Sequence, residues 1–290
     1  MTAFTCERYI FKGVLVLDTA LHVGSGEGDE RTDACVAKVR RFDNGMRIPV
    51  IPGSSLKGAL RSHVERLAAA LGLDTCLLSE DSGSKCLTVN EDRRREYLEA
   101  VEKNPSSQEG LLRNEGLLQN EGYHLCLTCR LFGSPFKASK VRVRDLALMT
   151  ELPELLPVRH GVGIDRDTGA AKHGIKFDFE YVPPQARFSM ELVVEDPENL
   201  ELPLLCMGLR EMELGNVDLG GNVTRGVGKC HLELESIWRI DPSDKGSYLK
   251  YLIDRQPVTE GNIKSFMKDN IERLFNGGDS GEAGGGEGVA

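Results

Sequence analysis

Apolar and polar positions along this chain fall into short runs of two different periods. Residues 9–18 carry an apolar block, Val14, Leu15, Val16 and Leu17, and read as a strand. Residues 21–30 are glycine-rich and acidic and read as a loop. A second strand is expected over 33–42, and Asp43-Asn44-Gly45 reads as a turn into a third run, 46–51. After Pro52, the residues Leu56, Leu60, Val64, Leu67 and Leu71 recur at helical spacing, which predicts a helix stopped at Gly72. The following stretch, 74–122, is polar and poor in β-branched residues. It holds a charged helical segment over 91–103 and a duplicated hexad, 110–115 and 116–121, to which we assign no function. We take 74–129 as an insertion.

Periodicity resumes with strands over 141–149 and 188–194 and a long hairpin over 158–184 that turns at 165–170. A helix is expected over 201–213, a glycine-rich loop over 214–228, a strand over 229–240 and a closing helical region over 248–274. The tail, 277–290, is glycine-rich and expected to be disordered. Strands and helices do not alternate regularly, so the pattern predicts one α+β domain rather than a doubly wound parallel sheet.

Composition narrows the picture. Hydrophobic residues make up 40% of 290, too many for a disordered chain. There is no apolar run of bilayer length and no basic segment leading an apolar one at the N-terminus, which predicts a cytoplasmic protein. The net charge of −9 argues against a simple nucleic-acid binder, but the charge is uneven. Acids crowd into 191–218 and the tail, whereas Lys137, Lys140, Arg142 and Arg144 form a basic run, so a basic groove is compatible with an acidic face.

Two motifs carry candidate phosphate chemistry. In 51–61, Gly53, Ser54 and Ser55 precede the helix, so unpaired backbone N–H groups and the helix dipole point outward together. Lys57 and Arg61 stand four apart on one face. The same residues also make an ordinary helix start. In 214–229, Gly220, Gly221, Gly226 and Gly228 allow close backbone approach, and Asn222, Arg225 and Lys229 supply polar contacts. This loop feeds a strand rather than a helix, unlike a dinucleotide fingerprint.

Together, Pro52-Gly53-Ser54-Ser55-Leu56-Lys57-Gly58 and Arg225-Gly226-Val227-Gly228-Lys229 resemble the signatures of the RAMP superfamily (repeat-associated mysterious proteins). The likeness is closest to backbone subunits of type III CRISPR effector complexes. Leu21-His22-Val23-Gly24-Ser25-Gly26 and Leu131-Phe132-Gly133-Ser134 fit the same family. The resemblance implies a ferredoxin-like core of the RNA-recognition type, over 8–73 and 130–240, with insertions. It implies CRISPR RNA and target RNA as partners, beside copies or relatives of this chain and large and small subunits. The hairpin 158–184 would be a thumb between stretches of guide–target duplex, and the glycine-rich loop would grip the guide backbone.

In many such subunits an aspartate after the first glycine-rich loop is needed to cut target RNA. Asp33 fits that position, although Asp33-Ala34-Cys35-Val36 departs from the common Asp-Asn-Pro-Val; Asp29 is the second choice. With Mg or another divalent cation, a carboxylate there assists in-line attack by a 2′-hydroxyl. Two alternatives stay open: a non-catalytic guide-binding subunit, and a metal-independent precursor-RNA endonuclease using a histidine. His22, His160 and His173 all read as loop residues with solvent or RNA contacts, and no recognisable catalytic arrangement surrounds them.

Cysteines bear on the insertion. Cys76, Cys86, Cys126 and Cys129 cluster in or beside it, where little apolar core is available. A tetrahedral Cys₄ zinc would staple that segment, with His63 and His124 as substitute ligands.

Overall fold

A computed structural model describes residues 7–41, 45–77, 85–103, 124–153, 155–254, 258–259 and 261–276. The duplicated hexads, most of the 43–45 turn and the tail lie outside the described residues.

The centre of the fold is strand β1, Arg8–Leu17. It pairs antiparallel with β8, Arg187–Glu195, on one side and with β9, Cys230–Ile240, on the other. Two short strands extend the sheet: β4, Val141–Val143, beside β8, and β10, Val258–Thr259, beside β9. The sheet order is therefore β10-β9-β1-β8-β4, and every pairing is antiparallel. Alternate residues bury on one face: Tyr9, Phe11, Leu15 and Leu17 from β1, and Phe188, Met190, Leu192 and Val194 from β8.

Helices cover that face. Helix α1, Gly53–Ala70, contributes Leu56, Leu60, Val64 and Ala68. Helix α4, Glu201–Glu213, is buried over almost its whole length, as its apolar sequence requires. The two helices touch at Gly208, where a Cβ would stand 2.5 Å from Val64 Cγ2 and 2.9 Å from Leu60 Cδ1. Helix α6, Ile263–Asn276, packs outside α4 through Met267 and Leu274. Each large apolar side chain buried here stabilises the fold by about 1.5–3 kcal/mol.

A second sheet runs β2-β3-β5: Lys38–Arg40, Arg47–Ile51 and Leu146–Ala147. Strands β6, Val158–Ile164, and β7, Ala171–Glu180, form a separate hairpin, as the sequence predicts. The insertion supplies α2, Glu91–Lys103, and a six-residue α3, Leu127–Phe132, straddles its end. Helix α5, Lys245–Asp254, precedes β10. Gly72 takes φ +69° just past the end of α1, the expected stop. No helix among the described residues is long and apolar enough to cross a membrane.

Several expectations shift. The strand read over 33–42 is regular only at 38–40, because Asp33 to Val36 are drawn toward the hairpin, with Ala34 bridging Phe179. The strand read over 141–149 breaks after Val143: Asp145 Oδ1 turns in to accept the Gly53 N–H, and the chain changes partner from β8 to β3. The closing helical region divides into α5 and α6 around β10. Helix α3 goes unread because six residues cannot display a helical period. His160 and His173 sit in β6 and β7 rather than in loops.

Candidate active site and metal centre

The acidic loop between β1 and β2 folds on itself before it meets anything else. Ser25 N–H donates to Cys35 O and Cys35 N–H to Glu27 O, both at 2.9 Å. Asp29 accepts the amides of Arg31 at 2.8 Å and Thr32 at 3.0 Å, an Asx turn. The Arg31 amide, followed by that of Thr32, holds the Asp29 carboxyl below its ordinary value, although desolvation opposes it. Asp29 is thereby committed to shaping the loop.

Asp33 is exposed, and its Oδ2 accepts the Asp178 amide at 2.9 Å. Thr32 Oγ1 donates to the Asp178 carbonyl, also at 2.9 Å. The root of the hairpin therefore holds the Thr32–Asp33 segment through both main-chain groups of Asp178, and the Asp33 carboxylate through one of them. Its Oδ1 has no hydrogen-bond partner among the described residues.

Beneath this lies Glu180, whose side chain is 0% exposed. It accepts Lys38 Nζ at 2.7 Å, Val36 N–H at 3.1 Å and Arg31 Nη2 at 3.3 Å. A buried carboxylate survives only with such partners. It ties the acidic loop, β2 and β7 into one unit. Its own carbonyl is 2.7 Å from His22 Nδ1, so that ring carries its proton on Nδ1 and is a buried strut.

His22 also carries the glycine-rich loop. Gly221 N–H donates to His22 O at 2.9 Å. Gly220 has φ +75°, and a Cβ on it would stand 2.2 Å from His22 O. Gly228 has φ +98° and donates its N–H to Ala20 O at 2.7 Å. These glycines permit a close backbone approach that other residues would block. Between them Asn222 and Gly226 take left-handed conformations at either end of a short 3₁₀ turn, Val223–Arg225. Arg225 is exposed, with its guanidinium 4.6 Å over the Phe177 ring of β7. Lys229 is exposed, and its amide is held by Thr19 Oγ1 at 3.0 Å. The glycine-rich loop, the acidic loop and the hairpin root thus converge.

The helix-start motif has different neighbours. Gly53 is buried and its N–H is capped by Asp145 at 2.8 Å. Lys57 donates to Ser139 Oγ at 2.6 Å, and burial lowers its pKa. Arg61 donates to Glu65 at 2.8 Å and to Gly133 O at 2.9 Å, and its Nη2 lies 3.5 Å from Cys129 Sγ. Ser54 is exposed and Ser55 half-buried. The expected cradle is therefore partly filled by the protein's own groups, and its cations brace the 133–139 loop.

Four cysteines meet beside Arg61. The Sγ atoms of Cys76, Cys86, Cys126 and Cys129 all lie within 4.8 Å of one another, and all four residues are buried. Cys76 Sγ is 3.5 Å from both Cys126 Sγ and Cys129 Sγ. Tetrahedral zinc with bonds of about 2.3 Å would separate its sulfurs by about 3.8 Å, so the donor set fits that ion. Hydrogen bonds from Cys126, Cys129 and Cys76 hold Cys86 far below its ordinary value, and those from Cys129 and Cys76 bring Cys126 to about 7. Bonds with Cys126 push Cys76 and Cys129 upward. A zinc ion bound there would hold all four sulfurs as thiolates. Arg61 Nη2 and Thr88 Oγ1 already donate to Cys129 Sγ, as partners of a coordinated thiolate do. The substitute ligands are engaged elsewhere: His124 with Asp74 at 2.8 Å and His63 with Glu211 at 3.1 Å.

One pairing escapes sequence reading. His160 Nδ1 is 2.7 Å from Asp178 Oδ1, across the hairpin. Only the register of β6 on β7, His160 opposite Asp178, could have announced it.

Comparison with known proteins identifies the family. The CRISPR system Cms endoribonuclease Csm3 of Methanothermobacter thermautotrophicus is 28% identical over 229 residues, covering 78% of this chain and 84% of that protein. The family model for the RAMP superfamily matches residues 14–231, a span that holds the end of β1, the acidic loop, α1, α4, the hairpin and the glycine-rich loop, and the chain belongs to that superfamily.

Proposed function

We propose that this protein is a backbone subunit of a type III CRISPR ribonucleoprotein that binds CRISPR RNA and cuts the target RNA paired with it. The observation that carries the reading is the placement of Asp33: an exposed carboxylate pinned by the Asp178 amide at the root of a projecting hairpin. Arg225 and the glycine-rich loop adjoin that same root. A hairpin used as a thumb would separate stretches of guide–target duplex and leave one target phosphate beside Asp33. Lys229 and Arg225 are exposed cations suited to the guide backbone, where base pairing and not the protein reads the sequence. Of the helix-start residues Gly53, Ser54, Ser55, Lys57 and Arg61, the exposed Ser54 is the one most open to RNA.

The core β1-α1-β4-β8-α4-β9, with sheet order β9-β1-β8-β4, is read as ferredoxin-like. A divalent cation, Mg or another, would be held by Asp33 through its unengaged oxygen, and would supply Lewis acidity at the phosphate. Asp33 itself then fixes where cutting occurs, and the hairpin excludes the rest of the duplex. Cys76, Cys86, Cys126 and Cys129 hold a structural zinc that replaces a hydrophobic core in the insertion. Other effector subunits are the protein partners, and the cytoplasm is the setting.

The test is Asp33→Ala in the assembled complex. Cutting of complementary target RNA should fall at least about 10²-fold while guide and target remain bound. Unchanged cutting would overturn the assignment of cleavage to Asp33.

A further inference from the structure

We propose that His160 is the proton donor of the target-cutting reaction and that Asp178 is its positioning residue. The inference rests on the Asp33 reading above but concerns a different group and a different step.

Asp178 does two things with one residue. Its amide donates to Asp33 Oδ2 at 2.9 Å, and its carboxylate accepts His160 Nδ1–H at 2.7 Å. The ring and the candidate metal-holding carboxylate are therefore linked through a single rigid strand residue. Asp178 is 30% exposed and His160 70%. With Nδ1 occupied and the side chain largely exposed, Nε2 is the ring nitrogen left open to bound RNA. The pair sits on β6 and β7 in fixed register, His160 opposite Asp178, and not on a loose loop. The histidine buried in the site, His22, has no such freedom, because it braces the Glu180 carbonyl.

The chemistry needs such a group. When a 2′-oxygen attacks phosphorus, the P–O5′ bond breaks and a 2′,3′-cyclic phosphate and a 5′-hydroxyl result. The 2′-hydroxyl proton leaves to water, and one proton must reach the 5′-oxygen. Imidazolium His160 delivers it from Nε2 and becomes neutral imidazole, with Nδ1–H still on Asp178; solvent restores the lost proton. A cation held at Asp33 would supply charge at the phosphate, and His160 supplies the proton to the departing oxygen. A carboxylate holding the second ring nitrogen fixes the ring's orientation and leaves the donor position open.

The experiment uses the assembled complex with His160→Ala, His160→Gln, Asp178→Asn and Asp33→Ala. Target RNA is prepared in two forms: ordinary, and with sulfur replacing the bridging 5′-oxygen at the cut site. A sulfur leaving group departs without protonation. Both His160 variants should cut ordinary target about 10²-fold or more slowly, the size expected for lost general acid catalysis, and cut the sulfur-bridged target at nearly the unaltered rate. Asp178→Asn should show the same pattern at smaller amplitude. Equal slowing on both targets would overturn the proposal, as would ordinary cutting by His160→Ala or a loss of target binding large enough to explain the whole effect. Asp33→Ala is the separate arm. If it cuts normally while the His160 variants show the sulfur rescue, the Asp33 reading fails and the His160 assignment stands.

Discussion

The carboxylate of Glu180 is wholly enclosed and accepts the Lys38 ammonium at 2.7 Å, joining the hairpin to the strand that follows the acidic loop. Arg31 and the Val36 amide complete its shell. Glu180→Gln keeps the shape and removes the charge opposite a mostly buried lysine. Unfolding in denaturant should show a loss of about 2–3 kcal/mol, below the 3–5 typical of a fully buried pair because Arg31 is partly exposed. Target cutting should fall further than guide binding, since the acidic loop loses its anchor.

The four-cysteine cluster predicts a measurable metal. Elemental analysis of purified protein should find about one zinc per chain. Cys126→Ser should abolish it and lower the melting temperature, whereas Cys206→Ser, at a buried thiol between α4 and the core, should leave zinc content unchanged. A chelator should open the insertion first, because its cluster of Leu87, Tyr97 and Leu125 is separate from the main core.

Arg225 over Phe177 predicts a salt-dependent signature. Arg225→Ala should weaken guide RNA binding at low salt and reduce the slope of log affinity against log salt by about 1. Phe177→Ala should weaken binding with a smaller change of slope, since it removes a support for the guanidinium and no charge.

Packing between α1 and α4 depends on Gly208. Gly208→Ala places a methyl group against Val64 and Leu60, and the helices must part. A loss of about 1–3 kcal/mol in thermal or denaturant unfolding is expected, although alanine favours helix elsewhere.

Asp29 gives a pH dependence of known sign. Its carboxyl is held below the ordinary value by the Arg31 amide, followed by that of Thr32, so folding favours the ionised form. Its contribution is fully present above the ordinary aspartate pKa of about 3.9 and is lost as pH falls through the depressed native value. Amide NMR of Arg31 and Thr32 should follow that acid transition. Asp29→Asn, which keeps an acceptor, should remove the transition while the loop stays folded near neutrality.

The periodic parts of this protein are legible without a structure. Leu56, Leu60 and Val64 fix α1 and its buried face, the apolar block of α4 fixes a helix enclosed on most sides, and Gly72 marks a helix end. The spacing of Cys126 and Cys129 announces half of a metal centre, and the resemblance carried by the glycine-rich loop places Arg225 and Lys229 at an exposed surface. Such features are local, and local sequence encodes local geometry. Tertiary structure closes Cys76 and Cys86, already read from sequence as the other pair, onto Cys126 and Cys129, and it alone decides that Glu180 gathers Arg31 and Lys38 and that Lys57 and Arg61 brace a loop from the protein's own interior. It also decides that Asp33 and His160 meet through Asp178. These groups stand up to 149 residues apart in the chain. No periodicity spans such a distance, and only the pairing of strands and the burial of charge bring them together.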